Sequence, residues 1–141
     1  FFMAEQAVIA SIKLSGIATK MLAFYVEWHQ IFSRHVLKDL RYSLGVRIDL
    51  LFAEVLEGIS LAQFASPALK TDYLISTIGK NDTLKFMLYA LYELGGISEK
   101  QFLSLSLKAE EVGRMLYGWK ISSEKRTAER AATTAGVRRK A

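Results

Sequence analysis

A chain of 141 residues is the size of one domain, long enough to bury roughly two-thirds of its unfolded surface. Apolar residues make up 51% and charged residues 23%, the composition of a globular chain rather than a disordered one, and the formal net charge is +5. The absence of cysteine excludes disulfides, thiolate nucleophiles and thiolate metal sites.

Residues 1–16 lack the basic start of a secretory signal and read as an N-terminal extension. From about Ile17 to Val36, apolar residues at Ile17, Met21, Tyr25, Trp28, Phe32 and Val36 step by three and four, with Leu22, Phe24 and Ile31 flanking, and predict a helix. A polar break follows at Lys38 to Arg41. A second helix is predicted from about Tyr42 to Ala65 on Leu44, Ile48, Leu51, Val55, Ile59 and Ala62, widened by Phe52 and Leu56. Ser66 and Pro67 supply a start signal, because a serine oxygen can accept a free N–H and proline suits the first helical position. The third helix runs to about Leu94 on Leu74, Ile78, Leu84, Leu88 and Leu91. Asn81 interrupts its seam, and Gly79 implies a bend or a neighbouring backbone that comes close.

Gly95 and Gly96 stop that helix, and Ser98 with Gln101 has capping-box spacing for a fourth. Its seam is Phe102, Leu105, Ala109, Val112, Leu116 and Trp119, and Gly113 and Gly118 are expected to allow close packing. Short connections force antiparallel neighbours, so the fold class is all-α, an antiparallel up-down four-helix bundle over residues 17–121. Phe86, Met87, Tyr89, Tyr92, Leu103, Leu107 and Met115 lie off the main stripes. Such surplus apolar surface predicts a homo-oligomer, with a wide core stripe in a monomer as the alternative.

The charge is unevenly placed. Residues 122–141 hold Lys125, Arg126, Arg130, Arg138, Arg139 and Lys140 against Glu124 and Glu129, a basic C-terminal tail, which leaves thirteen basic and twelve acidic residues in 1–121. With little apolar content the tail is expected to be mobile, partly helical over Glu124 to Ala132. Within the body, Arg34, Lys38, Arg41 and Arg47 face only Asp39, a run that fits a solvated loop as well as a binding patch. The longest uncharged stretch, Gly58 to Leu69, falls short of the roughly 20 apolar residues of a membrane span, so a cytoplasmic protein with no membrane association is expected.

No catalytic constellation stands out. His29 and His35 are separated by roughly 240° on a helix and cannot share one ion. Glu54 with Glu57, and Glu110 with Glu111, have no histidine or second acidic pair at acid–base spacing. Nucleotide-binding and nucleophile-elbow glycine motifs are absent. A non-catalytic protein without metal or cofactor is expected.

Three strings carry a family resemblance. RYSLGVRI, Arg41 to Ile48, resembles the R-[YF]-[TS]-L-G-x-R-I opening of the second helix in accessory variability determinant (Avd) proteins of diversity-generating retroelements. YELGGISEKQF, Tyr92 to Phe102, is similar to that family's helix-turn-helix corner, and EEVGRMLYGWK, Glu110 to Lys120, to its closing E-[IV]-G-R-M-L-x-G-W. The three stand in the family's order and cover about eighty residues. Related bundles are encoded in intervening sequences of 23S ribosomal RNA genes. The chain departs from the family in reading VLKDLR where a proline-containing loop is usual, in its nearly neutral body, and in its tail.

The resemblance implies a homopentameric barrel of bundles that binds a reverse transcriptase and template RNA or its RNA/cDNA hybrid in support of mutagenic retrohoming. The positions it brings forward are Arg41 and Arg47, Lys80 and Lys85, and Arg114 and Lys120. Lys38 and the tail cations Lys125, Arg126, Arg130, Arg138, Arg139 and Lys140 join them as candidate contacts to nucleic acid or the polymerase. Arg47 and Arg114 read equally as salt-bridge partners of Asp49, Asp82 or Glu110.

Overall fold

The structure, a computed structural model, describes residues 15–140, with side chains described as far as Gly136. The expectation for residues 1–14 of the N-terminal extension lies outside the described residues. Among the described residues there are only helices and connections: α1 (Gly16–Arg34), a single short turn α2 (Lys38–Leu40), a π-helical turn (Arg41–Gly45), α3 (Val46–Phe64), α4 (Pro67–Glu93) and α5 (Glu99–Lys140).

The four long helices are antiparallel neighbours. Trp28 meets Asp49 while the earlier Phe24 meets the later Phe52. Thr71 meets Ser123 while Asn81 meets Ala109, and Lys20 meets Glu111 while Glu27 meets Ser104. Each helix therefore packs on the next, and α5 closes the ring against α1. The core is formed by Met21, Phe24 and Trp28 from α1, Ile48, Phe52, Val55 and Ile59 from α3, Leu74, Leu84, Leu88 and Leu91 from α4, and Leu105, Ala109, Val112 and Leu116 from α5. The Trp28 ring stacks on Phe52 at 5.5 Å and its indole N–H donates to Asp49 Oδ1 at 3.1 Å, which gives a fully buried indole its one required partner.

Helix boundaries follow local chemistry. Ser15 Oγ accepts the Ala18 N–H at 3.2 Å to start α1. Pro67 occupies the first turn of α4, and Ser66 adopts the extended N-cap conformation, though its hydroxyl makes no capping bond. Gly95 has a φ of 79°, the left-handed conformation that ends α4. Both arms of the capping box then form: the Gln101 N–H donates to Ser98 Oγ at 3.1 Å, and the Ser98 N–H donates to Gln101 Oε1 at 2.9 Å.

Several expectations change. The Lys38 to Arg41 break is helical, because α2, the π turn and α3 form one continuous run. A π turn carries one extra residue per turn, and here it brings Gly45 against the Phe32 ring, 2.8 Å from where a Cβ would sit. The α1 stripe is rotated: Phe24 and Ile31 are buried, whereas Tyr25 and Phe32 are half-buried and Leu22 is exposed. Gly79 and Gly118 have no neighbour within 4 Å of a Cβ position. Gly113 does pack closely, with its Cβ position 3.4 Å from Asn81 Nδ2, and the tightest approach is at Gly58, where a Cβ would lie 2.1 Å from Thr77 Oγ1 across the α3–α4 seam.

The tail also differs. No break occurs at residue 121; α5 continues through Lys140, and Ser123 is buried with its hydroxyl 2.7 Å from that of Thr71. Adding a residue to an existing helix costs far less than nucleating a new one, and alanine, glutamate, lysine and arginine are good helix formers.

Candidate nucleic-acid interface

The proposed cations fall into three groups along the bundle rather than one patch. At the end where α1 stops and α5 starts, Lys38 and Arg47 are exposed. Arg41 is half-buried: its Nη2 donates to the Val36 carbonyl at 3.2 Å, and its Nε is buried without a partner. That guanidinium holds the α1–α2 connection closed and presents only part of its edge to solvent.

The middle group is largely neutralised. Lys80 Nζ lies 3.7 Å from Glu54 Oε2 and Lys85 Nζ 2.7 Å from Glu110 Oε1, both pairs tying α4 to a neighbouring helix. The Lys85 ammonium, through its hydrogen bond and then its charge, holds the Glu110 carboxyl below the usual glutamate range; a weak desolvation opposes this and Arg114 adds to it. Arg114 and Arg47 are exposed and, among the described residues, neither has a carboxylate within 4.0 Å, so the salt bridges read for them from sequence do not form.

The third group lies toward the far end of α5, about 30 Å away at 1.5 Å per residue. Lys120 pairs with Glu124 at 3.1 Å, one helical turn on, and its Nζ stands 5.4 Å from the Tyr117 ring centre. Lys125, Arg126 and Arg130 are exposed, with no ion pair among the described residues. Arg138, Arg139 and Lys140 occupy the last turn of α5.

Sequence reasoning missed two neighbours of this third group, Lys70 in the first turn of α4 and Trp119 on α5. Lys70 Nζ stands 5.9 Å from the centre of the half-buried Trp119 ring, and both line a cleft with Arg126 and Arg130. The signal was present in the sequence as a heptad-like spacing, Trp119, Ser123, Arg126 and Arg130, that continues the α5 seam in polar residues.

At the opposite end, an open groove of about 810 Å³ is lined by Glu27, His29, Arg34, His35, Lys100 and Ser104. Glu27 is held from two sides, by the Ser104 hydroxyl at 2.5 Å and by the Lys108 ammonium, so it forms a braced wall joining α1 to α5. Among the described residues no three histidine or acidic side chains gather at a metal-holding spacing, and no helix is long and apolar enough to cross a membrane.

The off-stripe apolar residues divide. Met87, Tyr92 and Met115 pack partly against the core, and Tyr92 stacks on Phe102 at 4.9 Å. Phe86 and Leu107 remain 75% and 72% exposed, with Tyr89 and Leu103 also open on the outer faces of α4 and α5. No family model, curated protein or solved structure matches the chain.

Proposed function

We propose that this chain is a non-catalytic accessory subunit of a diversity-generating retroelement, which engages a reverse transcriptase and its template RNA or RNA/cDNA hybrid and supports mutagenic retrohoming. The resemblance of Arg41–Ile48, Tyr92–Phe102 and Glu110–Lys120 to the Avd pattern supplies the identity of the partners. The observation that carries the nucleic-acid half of the reading is the second half of α5, where Lys125, Arg126 and Arg130 are exposed and have no carboxylate within 4.0 Å among the described residues. Lysine and arginine in that state release counterions from a polyanion and give salt-dependent, sequence-tolerant affinity. The polymerase would perform the chemistry, and this protein would hold the template.

Self-association belongs to the same proposal. The exposure of Phe86, Tyr89, Leu103 and Leu107 on α4 and α5 favours a homo-oligomer, a pentameric barrel by the resemblance. A second reading, an oligomeric scaffold of the ribosomal intervening-sequence type with no direct nucleic-acid role, is favoured by one observation: Lys80, Lys85 and Lys120 are committed to Glu54, Glu110 and Glu124.

Binding to structured RNA across a salt series separates the two. The retroelement reading expects affinity that falls steeply as salt rises, together with co-purification with a reverse transcriptase encoded beside this gene. An affinity indifferent to salt, or none, leaves the scaffold.

A further inference from the structure

The seam of α5 runs Leu105, Ala109, Val112, Leu116, Trp119, Ser123, Arg126, Arg130, alternating steps of four and three throughout. The first four are buried against the other helices, and Ser123 is buried beneath Thr71. At Arg126 the same face turns cationic, at the level where α4 begins with Pro67 and no longer covers it. An arginine pair at core-facing positions is therefore neither buried nor matched by an acid within 4.0 Å among the described residues. Lys70 reaches the same cleft from α4, so three cations from two helices converge beside the Trp119 ring and the Thr127 hydroxyl.

Like charges brought together by a fold repel one another, and this arrangement gains from an anion placed between them. The size of the cleft restricts that anion. At about 80 Å³ the cleft is far smaller than the groove of about 810 Å³ at the other end of the bundle, a scale that suits a phosphate group. The free N–H groups of the α4 start contribute little, because Pro67 has none and the Leu69 and Lys70 N–H groups already donate to the Ser66 carbonyl at 3.0 Å. The cations carry the site. From Arg126 to Lys140 the helix advances about 21 Å, several times the roughly 3.4 Å of duplex axis occupied by each phosphate of one strand. The α5 backbone thus leads away from the cleft along a track long enough for a polymer rather than a single ion.

We propose that the cleft between Lys70, Trp119, Arg126 and Arg130 is a phosphate-binding site that seats one backbone phosphate of a polynucleotide and sets where the strand joins α5. This rests on the nucleic-acid reading above and names the place on the molecule where that reading acts. Recognition would be by charge and without base sequence.

The full chain and two charge-matched double variants, Arg126→Gln with Arg130→Gln and Arg34→Gln with Lys100→Gln, test this by anisotropy of a labelled RNA strand across a salt series. The first double variant should weaken binding by about tenfold or more and flatten the salt slope by about 0.7 for each cation removed. The second pair, at the other end of the bundle, should weaken it far less. Lys70→Gln alone should reproduce part of the first loss, and fluorescence of Trp119, identified by its absence in Trp119→Phe, should respond to RNA. Equal losses in the two double variants with the wild type still binding RNA would overturn this site and leave the broader reading standing. No RNA binding by the wild type overturns both. Should tripolyphosphate alter Trp119 fluorescence while RNA does not, the cleft takes a free oxyanion and the polymer assignment is wrong.

Discussion

The two halves of α5 share one spacing and do opposite things. From Leu105 to Leu116 the seam positions are apolar and buried against the other helices; at Arg126 and Arg130 the same positions are charged and open, because α4 starts at Pro67 and, among the described residues, α1 starts at Gly16. Ser123 marks the changeover, polar yet buried, its hydroxyl satisfied by Thr71 across the seam. A helical period therefore fixes which face a residue joins, and the length of the neighbouring helix decides whether that face is core or binding surface.

The comparison breaks most readily at Leu116. Replacing this fully buried side chain by alanine should cost about 2 to 5 kcal/mol in denaturant unfolding, and unchanged stability would mean that the first half of α5 is not the seam described. At the changeover, Ser123→Ala removes the partner of Thr71 and should cost about 1 kcal/mol. In the second half, Arg126→Gln with Arg130→Gln should shift stability by no more than about 0.5 kcal/mol, since neither side chain is buried or paired. A loss comparable to that of Leu116→Ala would show that these arginines hold the fold and are not free for a ligand.

The smallest effect concerns the lysines of the middle group. Because Lys85 lowers the Glu110 pKa in the folded state, their pairing stabilises the protein above the unfolded glutamate pKa, and this contribution disappears as pH falls through the folded one. Thermal midpoints followed from about pH 7 to about pH 3 should therefore fall slightly less in Lys85→Gln than in the wild type. Coincident pH profiles would show that the pair is merely a surface contact of no consequence, as many exposed pairs are.

Much of the fold is legible in local sequence because its signals act over one turn. Pro67, Gly95 and the Ser98–Gln101 box sit where their chemistry places them, and the α5 seam is buried as its spacing requires. The phase of α1 was misjudged because a helix in a bundle buries a broad face: Phe24 and Ile31, at the edge of the chosen stripe, are nearer its centre than Tyr25 and Phe32. Helix over Glu124 to Ala132 is legible in the tail, but its continuity with the rest of α5 and its extension to Lys140 are not, because a polar segment read alone lacks the helix that precedes it. The candidate site was only half readable. The acids that pair with Lys80 and Lys85, Glu54 and Glu110, are some 25 residues distant in sequence, and Lys70 shares a cleft with Arg126 only because α4 starts beside it.

The π-helical turn at Arg41–Gly45 has a consequence for how the chain tolerates change in length. It accommodates one residue more than a regular helix would over the same rise. Deleting the exposed Ser43 would let the turn relax to ordinary α geometry while α3 kept its angular setting, whereas deleting a residue from the middle of α4 would swing everything beyond it by about 100° and expel Leu84, Leu88 and Leu91 from the interior. Shortening by one residue is thus absorbed at the start of α3 and ruinous in the middle of the next helix.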